Sequence, residues 1–531
     1  MNQAIDKGTS ATAWSRKPLL GARLMMVAAL LAACLMLAVQ PAHAATTFTV
    51  NDTRDSPDAS STAGGTCDID VFIDGNQCTL RAAIQQANAT LGADTINFSI
   101  PGTGLKTIHV NSGGFGALPA IKEQVTIDGY TQPLAHPNTL AVGNDAVLKI
   151  ELDGTNVALS GLEIDTADGS VIKGLVINRF GVDGIEIHGD SVANRIEGNF
   201  IGTDPTGTLD RGNATDAVGI FNGPSENVVG GTTPASRNLL SGSGDTSGSG
   251  DTGVFVSNAN ANRIQGNYIG TDKSGTKDLG NEDGGVMITS GFNNLVGGTT
   301  AASRNVISGN GGAGVSIRFG SNNKVLGNRL GTTVSGTVAL GNVAEGVFIG
   351  DGSNNSVGDG TSGGSNTIAF NGGDGIAIFR STSTGNAISR NSVFSNAGLG
   401  IDLIGGFEDA TGKTANDPGD IDTGSNNLQN FPVLASAKSS STTTTISATL
   451  KSTPTKTFPE TFRVQFFSNP SGNEGKKFIG QKSVTTNGSG SVSFTFSPAS
   501  KVAVGQTITA TATDTTNNTS EFSAPRTVAS S

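Results

Sequence analysis

The sequence predicts an all-β protein whose central part is wound as a parallel β-helix, preceded by a helical cap and followed by a small β-sandwich. Short glycine-led phrases recur at spacings of 25 to 35 residues, the range of solenoid repeats. Within each phrase, apolar and variable positions alternate, as in a strand with one buried face. With 75 Gly, the chain is too rich in glycine for helical repeats. The eight phrases start at Gly184, Gly219, Gly253, Gly285, Gly314, Gly346, Gly375 and Gly400.

Two further kinds of phrase lie between these eight. One kind is represented by Asn194–Asn199 and Asn262–Asn267, and the other by Asn227–Gly231 and Asn294–Gly298. Asn and Gly tolerate the positive φ that tight corners require. We therefore predict two or three short strands in each turn, with equivalent strands stacked turn on turn.

Long loops are expected to protrude from one edge of the β-helix at every second turn. Asp204 and Asp272 lie in the first two loops and are candidate binding residues of a repeated surface, whereas Thr333 replaces the acid in the third. Solubility alone is the alternative explanation for these acids. The three loops are Gly202–Asn213, Gly270–Asn281 and Gly331–Asn342.

The first 44 residues have the pattern of a secretory signal. Arg16 and Arg23 precede the apolar run Leu24–Val39, and Ala42-His43-Ala44 is a small-x-small cleavage site. The competing interpretation is a lipoprotein signal in which Cys34 is acylated. We expect a secreted or cell-surface protein that has no membrane span after cleavage.

The net charge limits the classes of partner that the protein can bind, and the cysteine content predicts a disulfide. The formal net charge is −11, and removal of the signal, which carries a net +3, makes it −14. Such a surface repels nucleic acid and anionic membranes. Cys67 and Cys78 are then the cysteines that remain, and in an exported protein they are expected to form a disulfide. Metal binding is the weaker alternative, because no further Cys or His lies nearby.

The segment Thr79–Asn88 is predicted to be a helix. Leu80, Ala83, Ile84 and Ala87 recur at the spacing of one apolar helix face. An uncovered end of a β-helix exposes core and strand edges, so we interpret this segment as a cap. The predicted organisation is a signal at 1–44, the cap at 45–93, the β-helix at 94–435 and an immunoglobulin-like sandwich at 436–531.

One segment also resembles a known family. Cys78–Asn88, followed by Asp94–Phe98, resembles the CSLREA segment of secreted bacterial right-handed β-helix proteins of the pectin-lyase-like class. Thr79 and Ala82 stand where that family has Ser and Glu. The resemblance implies a right-handed β-helix with an immunoglobulin-like module at its end, and it implies no single reaction.

Catalytic candidates are few. A hydrolase needs two or three carboxylates that face one groove, and Asp183, Glu186 and His188 form the best compact set. Alternation places Glu186 and His188 side by side on the outer face. The alternative is that both are solvated surface groups, because later turns are expected to put apolar residues where Glu186 sits.

Those apolar residues are themselves binding candidates. Phe221, Phe255 and Phe348 should stack on the outer face together with Met287. Long loops that fold over them would make a satellite core. An uncovered row would offer a platform for sugar rings or another protein.

An oxygen-rich run near the end of the β-helix is a candidate calcium site. Asp417, Asp420, Asp422 and Asn426 supply the oxygen ligands that Ca²⁺ prefers. A plain acidic turn is the alternative, and no cofactor is required by anything else in the sequence.

The leading functional hypothesis is a non-catalytic extracellular binding or adhesion protein whose ligand is a polysaccharide. The alternatives are a carbohydrate-active enzyme, either a lyase or a hydrolase, and a structural spacer. The sequence leans against catalysis without deciding it, and it leaves the ligand, the mode of attachment and the oligomeric state open.

Overall fold

The computed structural model describes residues 44–59, 65–244, 251–410, 412–452 and 459–531. Apart from Ala44, the predicted signal and the alternative acylation site at Cys34 lie outside the described residues. None of the helices in these ranges is long and apolar enough to cross a membrane.

Three parallel sheets run along the length of the β-helix, and from Val125 onward each turn of the described chain adds one short strand to each sheet. The first sheet contains Thr47–Val50, Asp94–Phe98, Val125–Asp128, Val171–Lys173, Arg195–Glu197, Val228–Gly230, Arg263–Gln265, Leu295–Gly297, Lys324–Leu326, Ser356–Val357 and Ala387–Ile388. The second contains Lys106–His109, Ile150–Asp153, Leu175–Asn178, Phe200–Ile201, Leu239–Leu240, Tyr268–Ile269, Val306–Ile307, Arg329–Leu330, Thr367–Ala369 and Ser392–Phe394. The third contains Leu162–Asp165, Ile185–His188, Val218–Phe221, Val254–Ser257, Val286–Thr289, Val315–Arg318, Val347–Gly350, Ile376–Phe379 and Ile401–Ile404.

Alternation within these strands builds the core. In the third sheet, Ile185 and Ile187 are fully buried while Glu186 between them faces outward. Stacking repeats this inward pair on every rung, so the interior is made of Val, Ile and Leu columns. The predicted fold is confirmed: a right-handed parallel β-helix with a helical cap before it and a small sandwich after it.

The register of the third sheet differs from the expected alignment at one turn. Gly219, rather than Phe221, pairs with Glu186, and Phe221 pairs with Ser257 on the next rung. The phrase at Gly219 is therefore displaced by two positions. Because side chains alternate with period two, Phe221 still faces outward despite this shift. A Cβ atom at Gly219 would collide with the ring of Phe221, which folds over this position.

Buried asparagines form ladders at the corners between the sheets. At the corner before the first sheet, Asn294 accepts a hydrogen bond of 2.9 Å from the Asn262 backbone and donates one of 3.1 Å to the Asn323 side chain. The same exchange is repeated between neighbouring turns. These side chains satisfy backbone groups that the corners remove from the sheets, which explains why Asn recurs there. The ladder runs through Asn194, Asn227, Asn262, Asn294, Asn323, Asn355, Asn386 and Asn426.

The amino-terminal cap is built around the predicted helix and disulfide. The helix spans Leu80–Ala89, and the Thr79 hydroxyl accepts a hydrogen bond from the Ala82 amide at its start. Cys67 and Cys78 are disulfide-bonded. Arg81 is buried and pairs with Asp55 through two hydrogen bonds of 2.9 and 2.8 Å. Asp55 is thus the carboxylate partner of Arg81 within the cap.

The carboxy-terminal module consists of two four-stranded sheets in the described part of the chain. Its first strand, Val433–Ser439, begins just before residue 436, where the sequence predicts the sandwich to start. One sheet pairs Ser491–Phe496, Thr444–Lys451, Val433–Ser439 and Ala529–Ser530, and the other pairs Lys477–Thr485, Thr461–Asn469, Thr507–Thr513 and Arg526–Thr527.

This module closes the end of the β-helix. Phe467 and Phe522 belong to the β-helix core cluster rather than to the core of the sandwich. Gly475 exchanges two backbone hydrogen bonds of 3.0 Å with Val393 of the second sheet. The Leu403 amide of the third sheet donates a 3.1 Å hydrogen bond to the Glu521 carboxylate. The last rung therefore ends on the sandwich rather than in water.

Candidate functional site

The outer face of the third sheet changes character along its length. At the amino-terminal end it carries Glu163 and Glu186, which are directly paired in register. The middle is apolar, and Asp402 closes the row at the other end. In order, the row consists of Glu163, Glu186, Gly219, Phe255, Met287, Ser316, Phe348, Ala377 and Asp402.

At the acidic end, the turn before Glu186 and His188 provides their partners. His188 Nε2 lies 2.6 Å from Glu163 Oε1, and its Nδ1 lies 3.5 Å from Asp165. The Ser160 hydroxyl donates a 2.9 Å hydrogen bond to Glu186. Glu186 and His188 are thus partly buried, and each has its own polar partners on the preceding turn.

Sequence reasoning missed Glu163 and Asp165, although a signal was available. Gly161 begins a phrase with the same alternation one turn before Gly184. Including that turn would have placed two further carboxylates beside the predicted set.

Asp183 lies at the corner that precedes this strand, and it is buried. Its Oδ1 accepts a 3.0 Å hydrogen bond from the Asp216 amide and another from the Thr215 hydroxyl. Its Oδ2 has no hydrogen-bond partner among the described residues. Burial, together with the nearby charge of Glu186, raises the pKa of Asp183 to about 6. A carboxyl in this environment can retain its proton close to neutral pH.

Half-buried aromatic rings lie in the middle of the row and beside it: Phe255 and Phe348 belong to the row, and Phe221 and Phe379 lie two positions further along their own strands. Phe221 and Phe255 meet edge to face with centroids 5.5 Å apart, and Phe348 and Phe379 lie 6.5 Å apart. The Arg318 guanidinium lies 5.3 Å from the centre of the Phe348 ring. A cleft of about 210 Å³ opens beside these side chains, and its lining includes Met287, Ser316, Arg318 and Phe348.

The satellite core lies on the second sheet. There the outward side chains are buried, and glycines of the loops at 202–213 and 270–281 pack on them. Phe200, Leu239, Tyr268 and Val306 lie in strands of only two residues, so the sequence shows no alternation that would reveal their outward face. This core contains Ala146, Leu148, Val176, Phe200, Leu239, Tyr268 and Val306.

Asp204 and Asp272 organise their own loops. Asp204 accepts hydrogen bonds of 3.0 Å from the amides of Thr208 and Leu209, and these bonds help to lower its pKa against the effect of burial. Asp272 is buried and makes the equivalent bonds within its own loop, to the amides of Thr276 and Lys277.

The candidate calcium residues are only partly together. Asp417, Asp420 and Asp422 offer ligand oxygens within 4.8 Å of one another. Asn426 does not join them, because it is the last rung of the first asparagine ladder and donates hydrogen bonds to the Asn386 and Thr519 carbonyls. Burial, with the charges of Asp417 and Asp422, raises the pKa of Asp420 to about 7.

No protein-family model matches the sequence. No curated protein matches it either.

Solved structures of low similarity were found. The periplasmic alginate epimerase AlgG is 10% identical, with 60% of this chain and 68% of that chain covered and a TM-score of 0.29. The AlgE4 A-module, a mannuronan C-5 epimerase of Azotobacter vinelandii, is 15% identical, with 67% and 82% covered and a TM-score of 0.31. Pectate lyase Pel9A is 15% identical, with 71% and 83% covered and a TM-score of 0.31. The β-helix assignment rests on the observed strand register, and no activity follows from these similarities.

Proposed function

We propose that the protein is an exported binding or adhesion protein that holds a polysaccharide on the outer face of its third sheet, without catalysis. The observation that carries this proposal is the aromatic row, two half-buried ring pairs, Phe221–Phe255 and Phe348–Phe379, that lie one after the other along the long axis of the β-helix. Phe255 and Phe348 are three rungs apart, a distance of roughly 14 Å. An extended chain of rings can contact both positions at once.

The physical basis is apolar area combined with repetition. Aromatic side chains present large, stiff surfaces that lose little conformational freedom on binding. Separate weak contacts along one ligand chain add through effective concentration. The acidic net charge and the disulfide are consistent with an exported protein that does not bind nucleic acid. The proposal includes its location: the protein is secreted or held at the cell surface.

One specific observation favours the second candidate, a carbohydrate-active enzyme. Asp183, whose pKa is raised, lies near Glu186, and Glu186 accepts a hydrogen bond from the Ser160 hydroxyl. A carboxyl group whose pKa is raised by burial can serve as a general acid. Against it, Asp183 is buried and Phe221 folds over the adjacent Gly219.

Retention on immobilised polysaccharides tests the proposal. We expect Phe255→Ala and Phe348→Ala each to weaken binding about tenfold, because each removes a large contact surface. Phe292→Ala is the matched control, since this phenylalanine is 43% exposed and lies outside the row. Equal binding by all three variants would reject the aromatic row as the site.

Product analysis separates the remaining functions. Release of unsaturated or reducing ends that disappears in Glu186→Gln would establish the enzyme and overturn the binding proposal. Neither retention nor turnover on acidic and neutral polysaccharides would favour the structural spacer.

A further inference from the structure

A second cleft, of about 310 Å³, lies on the outer face of the second sheet, away from the aromatic row. Its floor is formed by consecutive rungs of that sheet, on which Tyr268, Val306 and Arg329 are paired in register. Its walls come from loops that precede or follow these strands. The lining consists of Ala141, Val142, Thr233, Pro234, Arg237, Tyr268, Ala301, Ala302, Arg304, Val306, Arg329 and Val334.

Arg237, at one side of this cleft, donates hydrogen bonds from all three of its guanidinium nitrogens. Its guanidinium donates hydrogen bonds to the carbonyls of Leu140, Ala141 and Gly143, with lengths of 3.0, 2.9 and 2.5 Å. It also stacks 4.7 Å from the centre of the Tyr268 ring. Arg237 therefore fastens the loop around residue 141 and is not open to a ligand.

Arg304 occupies the equivalent position in the next copy of the repeat, but it makes no hydrogen bonds to a loop like those that Arg237 makes to Leu140, Ala141 and Gly143 in the described structure. Its Nε donates to the Gly327 carbonyl at 2.9 Å, as the Nε of Arg237 donates to Gly266. The structure records no further hydrogen bond or ion pair of the Arg304 side chain with the described residues. The outer nitrogens of Arg304 are thus left at the cleft.

Arg329 lies on the floor beside Arg304, and its side chain makes no hydrogen bond or ion pair with the described part of the chain. Burial and the neighbouring positive charge of Arg304 both lower its pKa. Two half-buried guanidinium groups that repel each other raise the free energy of the empty cleft. The lining contains no Asp or Glu to neutralise them.

We propose that this cleft is a binding site for a carboxylate carried on a compact ring, with Arg304 and Arg329 holding the carboxylate. Guanidinium groups pair with carboxylates through two parallel hydrogen bonds. The side chains of Pro234 and Val334 offer apolar walls to the ring, above a floor that includes Val306 and Tyr268. The volume lies at the lower end of the range for small-ligand sites, which suits one ring. The proposal uses a different face from the aromatic row and stands without it.

Calorimetric titration with small probes tests the site. The probes are D-glucuronate and benzoate, which place a carboxylate on a sugar ring and on an aromatic ring. Glucose and benzyl alcohol are the uncharged counterparts, and acetate lacks a ring. We expect at least one ring-bearing carboxylate to bind, its uncharged counterpart not to bind, acetate to bind more weakly, and added salt to reduce the affinity.

Variants locate the binding. Arg329→Gln removes a side chain without polar partners in the described structure, so it should fold normally, and we expect it to weaken probe binding at least about tenfold. Arg304→Gln should have a similar effect. Arg329→Lys keeps the charge but loses the planar fork and should give an intermediate loss. Arg263→Gln is the control, because Arg263 is exposed on the first sheet.

The outcomes are decisive in each arm. Binding of glucuronate alone identifies a sugar acid as the natural class, and binding of benzoate alone identifies an aromatic acid. Absence of binding by either probe at millimolar concentration overturns the proposal. So does binding that Arg329→Gln leaves unchanged, or that Arg263→Gln weakens equally.

Discussion

The Asn396 side chain donates a 3.0 Å hydrogen bond to the Glu474 carboxylate, so a residue of the carboxy-terminal module ends an asparagine ladder of the β-helix. The backbone amides of Ser395 and Asn396 also donate to Glu474. Gln465 performs the same task nearby, since it accepts a 2.9 Å hydrogen bond from the Arg390 amide. The sandwich is thus a structural cap as well as an appended module.

Replacing Glu474 should destabilise this junction. Glu474→Ala leaves the Ser395 amide and the partly buried donors of Asn396 without their acceptor, so the free energy of unfolding should fall by about 0.5–1.5 kcal/mol. Glu474→Gln keeps one acceptor oxygen for Asn396 and loses the other, so it should lose less stability than the alanine variant. Urea denaturation measures both, with the exposed Glu282→Ala as control. A loss in the glutamine variant as large as in the alanine variant would point to the charge instead of the hydrogen bonds.

Stability should decrease between pH 5 and pH 8 at the same junction. Burial raises the pKa of Asp402 to about 8, helped by Asp374, and that of Glu521 to about 7. The unfolded chain releases these protons at lower pH, so between those limits the folded state holds more protons and loses stability as pH rises. Lys413 faces Glu521, and burial lowers its pKa.

Thermal unfolding at the two pH values measures this effect. We expect the wild type to melt at a lower temperature at pH 8, and Glu521→Gln, which never ionises, to show a smaller decrease. The cluster also contains Glu408, whose charge adds to the raised pKa values of Asp374 and Asp402. A melting temperature that rises from pH 5 to pH 8 would contradict the prediction.

The asparagine ladder should contribute strongly to the free energy of unfolding, and Asn294 in its middle tests this. Asn294→Ala removes donors to the Ala259 carbonyl and to Asn323 and an acceptor for the Asn262 amide. With several buried groups left unpaired, we expect a loss of about 2–4 kcal/mol in the free energy of unfolding. Asn293→Gly is the adjacent control, because Asn293 is exposed and has the positive φ that glycine adopts. Similar losses in both variants would assign the effect to the corner rather than to the ladder.

Calcium binding at Asp417, Asp420 and Asp422 stays a prediction. Millimolar Ca²⁺ should raise the melting temperature, because a ligand of the folded state stabilises it. The rise should be larger at pH 8 than at pH 6, since Asp420 must lose a proton whose pKa is about 7. Asp417→Asn should reduce the shift, and Mg²⁺ serves as the comparison ion. An unchanged melting temperature in Ca²⁺ favours a plain acidic turn.

The outward position of Phe221 could be predicted from the sequence, because the alternation of side chains in a strand is unchanged by a shift of two residues. Phe221 was aligned two positions away from its true partner, yet it still faces outward because residues two apart share a face. The buried face of the second sheet could not be found in this way. Phe200 and Tyr268 occupy two-residue strands, too short to show a period.

By itself, the sequence determined the repeat, the inward columns, the capping helix and the cysteine pair. These follow from local spacing, because strand alternation and helix periodicity are properties of neighbouring residues. Only the tertiary structure decided that Glu163 meets His188, that Arg304 lies beside Arg329 without a carboxylate, and that Glu474 ends a ladder. Such contacts join residues from different turns or modules, and their partners are set by how the coils stack rather than by any local pattern.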